Sequence, residues 1–394
     1  MSLSRRGQVF AAVCLFSFLV NFGRVAFAPL VDPFMDIFGV GPGAAGLVAT
    51  AVWVGSGLTR IPTGWLLTRI DRHEAIIGMG VFLAGAAAFT ALAPTITIVA
   101  LGALFIGLAS GVFYVAANPL VSELYPERMG WAVGIRGTAA QLAAAAAPIV
   151  IAAVLASSLV GWRDAFWALA ALAALAVIVL VITARRAAMP TAGAADRDLL
   201  GAVRAEWRLV LTGIALLGTT GFVWQGLFNF YITYLTEVKG LPEASASALL
   251  TVVFAAGVPA FFLSGRFADR FPQVPYILTV LTTFLTVTFG LTVVTGFWSL
   301  TAVSVLLGYV IHSSFPAIDT YLLSTLPDEN RASAYAAFSG TMMLMQAPGS
   351  AVFGALADAG VGYTAIIRGA VFALAAVTAT IALCHRAGWL PTGE

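Results

Sequence analysis

The stretch Arg60-Ile-Pro-Thr-Gly64-Trp-Leu-Leu-Thr-Arg69-Ile-Asp71-Arg72 decides the fold of this chain. It ends an apolar run of about twenty residues, which is the length of a membrane-spanning helix, and basic residues follow at once. A related stretch, Gly265-Arg-Phe-Ala-Asp269-Arg270, places a glycine and an arginine 201 positions after Gly64 and Arg69. This offset predicts a chain made of two similar halves in tandem.

The composition is that of a membrane protein. Hydrophobic residues make up 60% of the sequence and charged residues only 10%, whereas soluble domains carry about 25% charged residues. Apolar runs of about eighteen or more residues recur along the chain, and each can cross a hydrocarbon core ~30 Å thick. We therefore predict an all-α polytopic membrane protein, because a large soluble protein with buried helices would need more polar residues for its surface.

Twelve apolar segments can be counted, six on each side of a polar stretch at 185–207. The sequence thus predicts an N-terminal six-helix bundle over 1–184, a flexible cytoplasmic linker over 185–207 and a C-terminal six-helix bundle over 208–394. We expect the first segment to be a retained helix rather than a signal peptide, since no small-residue cleavage site is evident. The segments lie near 8–30, 44–67, 75–93, 97–122, 130–156, 165–184, 208–235, 245–266, 275–295, 298–325, 333–356 and 362–384.

The basic residues between the segments favour one side of the membrane. Only Arg163 and Lys239 fall on the side opposite to the two termini. Because cationic loops stay cytoplasmic, we expect both termini and the linker to lie inside the cell, with the protein in the plasma membrane. Cys14 and Cys384, which lie in the first and last segments, offer neither a disulfide framework nor a metal cluster.

Further positions repeat at the same offset. Gly39 corresponds to Gly240, and residues 107–118 correspond to residues 308–319. Two six-helix halves in the same orientation imply a two-fold axis along the membrane normal. Such proteins bind substrate between the halves, near the middle of the membrane, and work by rocking one half against the other.

This arrangement of six plus six helices, a cytoplasmic linker and a glycine–aspartate–arginine motif after the second helix of each half resembles the major facilitator superfamily over the full chain. The second-half motif fits the family, whereas the first half has Thr68 where the family has aspartate and Asp71 where it has glycine. The resemblance implies a cytoplasmic gate in which this loop pairs with neighbouring helix ends; alternatively, its arginines only anchor the topology. The implied gate residues are Gly64, Arg69, Asp71, Glu123, Arg128, Gly265, Asp269 and Arg270.

Ionisable side chains inside the predicted spans are candidates for function, because a charge in hydrocarbon is costly and usually faces a bundle interior or a wet cavity. At ~1.5 Å per residue, Arg60, Arg136 and Asp319 lie about 10 Å from the predicted cytoplasmic edge. Arg24 and His312 lie about 21 Å from it on the same scale. Two polar layers in one cavity are therefore predicted. Arg368 is the remaining ionisable residue of this kind.

Arg24 is the best candidate substrate ligand. It follows Asn21 by three residues, so both lie on one helical face, and its repeat mate is Gln225. A guanidinium presents a rigid fork of donors that fits carboxylate, phosphate or nitrate. The run from Asn21 to Arg24 is similar to first-helix arginine motifs in organic-anion branches of the superfamily, which implies that Arg24 binds the acid group of the substrate. The alternative is a structural arginine held by helix-end carbonyls or by a neighbouring acid.

Two other arginines give a second, partial resemblance. Arg60-Ile-Pro-Thr-Gly64 is similar to the second-helix motif of nitrate and cyanate porters, but Phe261 stands where nitrate porters carry a second arginine. Gly134-Ile-Arg136-Gly replaces their fifth-helix signature, which argues against nitrate itself. Arg60 and Arg136 are therefore interpreted as substrate ligands, with a structural role as the alternative.

The second half supplies further predicted ligands. Gln225 and Asn229 are four residues apart and share a helical face, so together they can bind polar groups of the substrate. His312 can donate a hydrogen bond to substrate or tune proton affinity near neutral pH, although a lone histidine in a helix is often a packing residue. Asp319 is predicted to carry the coupling proton or to be the counter-ion of Arg60 or Arg136, with a static salt bridge as the alternative.

No motif predicts catalysis, a cofactor, a metal or a nucleic-acid partner, since neither a phosphate-binding glycine loop nor a nucleophile–base pair is found. We expect a monomeric secondary transporter of a small organic anion in the lipid bilayer, coupled to protons. Sodium is less favoured because no cluster of intramembrane acids and amides is evident. A multidrug exporter of the same superfamily is the alternative, although three arginines against one acid argue against cationic cargo. A third class, a transporter-like receptor, would be expected to carry a soluble domain.

Overall fold

The structure is a computed structural model that describes residues 4–187, 189, 199–268 and 270–391. Helices make up most of these residues, and no β-strand occurs among them. Eleven helical segments within the described ranges are long and apolar enough to cross a membrane. The prediction of an all-α polytopic membrane protein is therefore confirmed.

The described helices of the first half match the six predicted segments, with one short addition. The addition is α2, which extends the first segment and is joined to it by a 3₁₀ turn at Ala28–Leu30. Pro33 fits in the first turn of α2 because an amide hydrogen there would have no helical partner. The helices are α1 (Arg5–Val25), α2 (Val31–Phe38), α3 (Pro42–Leu66), α4 (Arg72–Ala91), α5 (Ile96–Leu124), α6 (Met129–Ala156) and α7 (Trp162–Ala184).

The second half is more divided than the sequence predicts. Two predicted segments, 208–235 and 333–356, are each built from more than one helix. The described helices are α8 (Leu199–Ala205), α9 (Trp207–Gly213), α10 (Thr219–Asn229), α11 (Tyr231–Thr233), α12 (Glu243–Ala268), α13 (Gln273–Val293), α14 (Phe297–Thr325), α15 (Asp328–Gln346), α16 (Gly349–Asp358) and α17 (Tyr363–Arg386).

The interruptions have local causes. In segment 208–235, π-helical turns occupy Ile214–Gly218 and Tyr234–Val238, and Phe230 leaves the helical conformation with φ −103° and ψ 18°. Turns of this kind are rare and recur at functional sites. In segment 333–356, Pro348 separates α15 from α16, because proline lacks the amide hydrogen that a continuous helix needs.

The prediction of a flexible linker over 185–207 is wrong at its end. Helix α8 lies within this stretch and packs against α15, and Ala202 is only 3% exposed. Just after α8, the Oε1 atom of Glu206 accepts a hydrogen bond of 3.2 Å from Nδ2 of Asn330. These contacts order a segment whose composition alone resembles a tether. Residues 190–198 of the predicted linker lie outside the described ranges.

The internal repeat is present in the backbone as well as in the sequence. Gly39 and Gly240 both adopt left-handed conformations, with φ values of 61° and 68°, that other residues rarely adopt. A Cβ atom on Gly107 would lie 2.0 Å from the carbonyl oxygen of Val52, and one on Gly308 would lie 2.0 Å from that of Val253. Both members of each contact differ by the same offset of 201 positions. Each half therefore packs its second and fourth predicted spans at a glycine without room for a side chain.

Contacts divide the chain into two compact units. Unit 1 comprises Met1–Leu30 and Ala51–Arg197, and unit 2 comprises Val31–Thr50 and Asp198–Glu394. Helices α1, α4, α5, α6 and α7 pack against one another in unit 1, and α12, α13 and α14 do so in unit 2. The predicted boundaries at 184 and 208 follow the sequence repeat, whereas the contacts also associate residues 31–50 with unit 2.

Two hydrogen bonds explain why residues 31–50 belong to unit 2. The backbone amide of Gly43 donates to Oδ2 of Asp358 at 2.8 Å, and the amide of Ala351 donates to Oγ1 of Thr50 at 3.0 Å. The first amides of a helix have no partner within the helix, so a carboxylate at the start of α3 satisfies one of them and stabilises the helix dipole.

A candidate anion-binding site

Three of the predicted arginines surround a single tyrosine of unit 1. The guanidinium carbons of Arg24, Arg60 and Arg136 lie 5.0, 5.9 and 5.6 Å from the centroid of the Tyr114 ring. The residues come from four different helices, since Arg24 lies one residue before the end of α1, Arg60 lies late in α3, Tyr114 is in α5 and Arg136 is in the third turn of α6. We call these three arginines and Tyr114 the arginine cluster.

Polar contacts hold two of these four helices, α3 and α5, in register. The Oγ atoms of Ser56 and Ser110 lie 3.3 Å apart, and the hydroxyl of Thr59 donates to the carbonyl of Leu108 at 3.0 Å. These contacts join α3 to α5 just before Arg60 and Tyr114. Hydroxyl and carbonyl groups are costly to bury without partners, so they fix the relative position of the two helices.

Arg24 lies in an aromatic environment. It is 5% exposed, and its guanidinium carbon lies 3.9 Å from the centroid of the Trp53 ring. An arginine stacked on an indole gains a cation–π attraction and still presents the edges of its fork to a ligand. The buried Nε atom of Arg24 has no hydrogen-bond partner among the described residues. A donor therefore remains available in a place where burial without a partner is unfavourable.

One nitrogen atom of the Arg136 guanidinium contacts a serine, and another has no hydrogen-bond partner among the described residues. It is 7% exposed, and its Nη1 atom lies 3.4 Å from Oγ of Ser17, which in turn donates to the Arg136 carbonyl at 3.0 Å. Its buried Nε atom has no hydrogen-bond partner in the described ranges. Neither Arg136 nor Arg24 forms a salt bridge with any described carboxylate. Both buried cations thus lack an acidic partner among the residues that the structure describes.

Asn21 connects the cluster to its surroundings. Its Nδ2 atom donates to the carbonyl of Ala140 at 2.6 Å, which joins α1 to α6, and its Oδ1 atom accepts from the Tyr114 hydroxyl at 3.3 Å. Both ends of the amide are therefore engaged by the protein. This geometry suits a residue that positions Tyr114, and direct contact between Asn21 and substrate stays a prediction.

Gln225 and Asn229 lie together in unit 2, as their spacing predicts. Nδ2 of Asn229 donates to the Gln225 carbonyl at 2.9 Å and to Oγ of Ser350 at 2.9 Å, and Ser350 donates to the same Gln225 carbonyl at 2.8 Å. Gln225 is 1% exposed and Asn229 is 2% exposed. Both amide protons of Asn229 have partners in the contact between α10 and α16. A ligand role for either residue stays a prediction.

His312 sits in an aromatic pocket of unit 2. Its ring centroid lies 6.0 Å from that of Trp224, 5.9 Å from that of Phe254 and 6.0 Å from that of Phe261. Its Nδ1 atom lies 2.7 Å from the carbonyl of Gly308, and a carbonyl can only accept, so Nδ1 carries the proton. The ring is 5% exposed. Its predicted contact with substrate stays a prediction.

Asp319 is half-buried in α14 of unit 2. Its Oδ1 atom accepts a hydrogen bond of 2.8 Å from the Tyr335 hydroxyl of α15. The proposed coupling role of Asp319 stays a prediction.

The predicted gate residues are spread over the loop after α3 and the ends of neighbouring helices. Glu123 forms a salt bridge of 3.0 Å with Arg72, and Arg69 stacks over Trp65 with its guanidinium carbon 3.8 Å from the ring centroid. Arg128 is exposed. The Glu123 carboxylate therefore pairs with Arg72, which is not one of the predicted gate residues.

The remaining gate residues lie at or next to the ends of α3 and α12 and beside the start of α4. A Cβ atom on Gly64 would meet open space, and Asp71 is the residue just before α4. Arg270 is exposed, Gly265 lies on α12, and Asp269 lies outside the described residues. A gating role for these residues stays a prediction. One possible group of metal ligands also occurs here, with the ligand atoms of Asp71, His73 and Glu74 within 4.8 Å of one another on a partly exposed surface.

Sequence reasoning missed the aromatic part of the cluster. Tyr114 and Trp53 contact the arginines, and Ser17 holds Arg136. Tyr114 precedes Asn118, which corresponds to Asp319 in the repeat, by one helical turn, so Tyr114 and Asn118 share a helical face. This spacing is the one feature of the sequence that could have identified Tyr114 as part of the site.

Comparison with known proteins gives one family and several similar structures. A model described as the Major Facilitator Superfamily matches residues 13–339 and, in a second alignment, residues 225–391. A bacterial homolog of the human lysosomal transporter Spinster, inward-facing and occupied, has a TM-score of 0.79 and 17% identity over 98% of both chains. An inward-facing and unoccupied structure of such a homolog gives 0.75 and 17% over 96% of both chains.

A third solved structure, a D-xylose-proton symporter, has a TM-score of 0.73 and 14% identity, covering 95% of this chain and 97% of that chain. At these identities, the similarity establishes a shared fold and does not identify a substrate.

Proposed function

Because this chain belongs to the Major Facilitator Superfamily, we propose that it is a secondary transporter of a small organic anion. Its family and its similar solved structures are those of transporters rather than enzymes. The proposal includes alternating access by rocking of one half against the other, in the plasma membrane, with both termini in the cytoplasm and the protein as a monomer. It assigns Arg24 as the main ligand of the acid group.

The observation that carries the anion assignment is the arginine cluster. Arg24 and Arg136 are 5% and 7% exposed, and neither forms a salt bridge with a described carboxylate. Unpaired cations at membrane depth are costly and usually serve a substrate or an ion. An anionic substrate that bound there would supply the missing partner, and the guanidinium forks would orient its acid group.

Proton coupling through Asp319 is part of the proposal. One similar solved structure is named a D-xylose-proton symporter, so a related protein of this fold couples to protons. Asp319 is half-buried and accepts a hydrogen bond from Tyr335, which supports its choice as the proton carrier. Its alternative role is that of a counter-ion for arginine. Sodium remains the less favoured coupling ion.

Efflux of lipophilic compounds is the second candidate function. The aromatic surroundings of His312, made by Trp224, Phe254 and Phe261, favour it because such rings bind apolar cargo. An exporter of lipophilic cations would, however, have to bring a positive charge toward unpaired arginines. We therefore rank it second.

A ligand-stabilisation screen on the purified protein in detergent tests the proposal. Small carboxylates, phosphates, nitrate and cyanate are compared with lipophilic cations, and the melting temperature of each mixture is measured. A ligand at about 100 times its Kd stabilises the native state by about 2.7 kcal/mol, so binding is visible as a shift. We expect an anion class to shift the wild type and to have little effect on Arg24→Gln.

Arg163→Gln is the matched control. Arg163 also stacks on an indole, 4.4 Å from the Trp162 centroid, and it lies outside the cluster, where it donates to the Ala93 carbonyl. We expect this variant to keep the anion shift. If lipophilic cations shift the wild type and Arg24→Gln equally while no anion does, the proposal is wrong and the exporter takes its place.

A further inference from the structure

We propose that the substrate carries two negative charges, and that Arg24 and Arg136 each bind one of them. This inference rests on the proposed function and narrows it from anions in general to dianions. Two carboxylates of one molecule, or the doubly charged phosphoryl group of a monoester, meet this requirement.

The charge balance of the arginine cluster is the first argument. Arg24 and Arg136 are both more than nine-tenths buried, and no described carboxylate forms a salt bridge with either. Like charges close together in a medium of low dielectric constant repel each other strongly. A monoanion would neutralise one of these two cations and leave the other without a partner. A dianion leaves neither unpaired.

The free hydrogen-bond donors are the second argument. The Nε atoms of Arg24 and Arg136 are both buried and without hydrogen-bond partners in the described part of the chain. Each guanidinium therefore has a donor for an oxygen atom that no described residue supplies. Buried donors are nearly always satisfied in native proteins, and the oxygens of an anionic ligand can satisfy both of these.

The arrangement of the cluster is the third argument. The two guanidinium carbons lie 5.0 and 5.6 Å from the centroid of the same ring, that of Tyr114, so the two charges are close enough for one small molecule to contact both. Aromatic contacts stabilise cations but carry no net negative charge. The Tyr114 and Trp53 rings therefore position the arginines without neutralising them. Arg60, 5.9 Å from the same centroid, adds to the positive potential.

A series of ligands that differ mainly in charge tests the inference. Succinate, monomethyl succinate and dimethyl succinate carry two, one and no carboxylates on one carbon skeleton. Inorganic phosphate and dimethyl phosphate form the corresponding pair for a single phosphoryl group. Affinities for purified protein in detergent are measured by isothermal titration calorimetry. We expect the wild-type protein to bind each dianion roughly ten- to a hundredfold more tightly than its monoanionic ester. This is the range for one added charge-assisted hydrogen bond.

Arg136→Gln gives the sharper prediction. We expect it to reduce the preference for dianion over monoanion to less than about threefold while monoanion affinity changes little, since one charge-assisted contact is lost. Arg136→Lys, which keeps the charge, should restore part of the preference. Arg163→Gln should keep all of it. An arginine that only maintained the fold would lower the affinity for both ligands equally, and that result would contradict the role of Arg136.

The outcomes separate this inference from the proposed function. If wild-type protein binds monoanions as tightly as dianions, or binds monoanions and neither dianion, the dianion inference fails and anion transport stands. If only lipophilic cations bind, or no anion of either charge binds, both fail. Preference for succinate over phosphate, or the reverse, tells which of the two dianion chemistries the cluster takes.

Discussion

At the scale of single residues, Asp319 carries the proposed coupling. It accepts a hydrogen bond from Tyr335, and an amide in its place could not bind and release a proton in the same range. We expect Asp319→Asn to bind substrate but to lose uptake driven by a pH gradient in proteoliposomes. The measurement is the initial rate of uptake, with and without the gradient, of the anion identified in the screen.

Tyr335→Phe is the control for this prediction, because it removes the hydroxyl donor and keeps the carboxylate. We expect it to keep gradient-driven uptake, since the carboxylate that would carry the proton is still present. Unchanged gradient-driven uptake in Asp319→Asn would remove Asp319 from the mechanism.

Some residues of the arginine cluster could be predicted from the sequence and others could not. The difference is whether the residue type stands out from the apolar residues around it. Arg24, Arg60 and Arg136 are conspicuous because a charge interrupts an apolar run. Tyr114 and Trp53 have no such contrast, since an aromatic residue in a membrane helix is usually packed against lipid or a neighbouring helix. Their contact with arginine depends on helix packing and therefore required the structure.

At the scale of helices, the close contacts at Gly107 and Gly308 are the features most sensitive to substitution. A Cβ atom on Gly107 would lie 2.0 Å from the carbonyl oxygen of Val52, which belongs to the backbone of α3. We expect Gly107→Ala to lower stability by about 1–3 kcal/mol, the usual cost of overpacking. Gly308→Ala should act similarly, because its Cβ would meet Val253 at the same distance. Thermal unfolding in detergent measures both effects.

Gly78→Ala is the matched control for these two variants. Gly78 lies within α4, and a Cβ atom there would meet nothing within 4 Å. Because alanine favours helix more than glycine, we expect this variant to be as stable as the wild type or slightly more stable. Equal destabilisation by all three substitutions would contradict the assignment of the effect at Gly107 and Gly308 to close packing.

Helix positions could be predicted well because a span of about 20 apolar residues is a strong signal. The interruptions at Phe230 and Pro348 could not be predicted, because apolarity continues across both breaks. Helix α8 was missed for the opposite reason. Its stretch contains enough small and charged residues to resemble a tether, and only its contact with α15 reveals a helix.

At the scale of the whole molecule, the basic residues predict which end faces the cytoplasm. Leu159, between α6 and α7, is 92% exposed and lies on the predicted outer side, whereas the Glu127 side chain is 71% exposed on the predicted inner side. In a background without Cys14 and Cys384, we expect a membrane-impermeant maleimide to label Leu159→Cys in intact cells. Glu127→Cys should be labelled only after lysis.

The reverse labelling pattern would place both termini outside the cell and contradict the orientation. Equal labelling of both variants in intact cells would indicate leaky cells, which an impermeant control on a known cytoplasmic protein detects. The orientation depends on charge alone, so this prediction is independent of the substrate.

The family and the repeat could be predicted because Gly39 and Gly240, at an offset of 201 positions, have a sequence signature that the backbone shares. The grouping of residues 31–50 with unit 2 could not be predicted. It depends on Asp358 and Ala351, which are more than 300 positions away from Gly43 and Thr50.

The unpaired charges of Arg24 and Arg136 also have an electrical consequence. A charge that moves through the whole membrane field changes its energy by ~2.3 kcal/mol per 100 mV. An empty transporter would shift two uncompensated positive charges within part of that field whenever access to the cluster changes from one side of the membrane to the other. With a dianion bound, those two charges are cancelled. Membrane voltage would then act mainly on the return of the transporter without substrate. An inside-negative potential would favour the empty state in which the cluster is open to the cytoplasm.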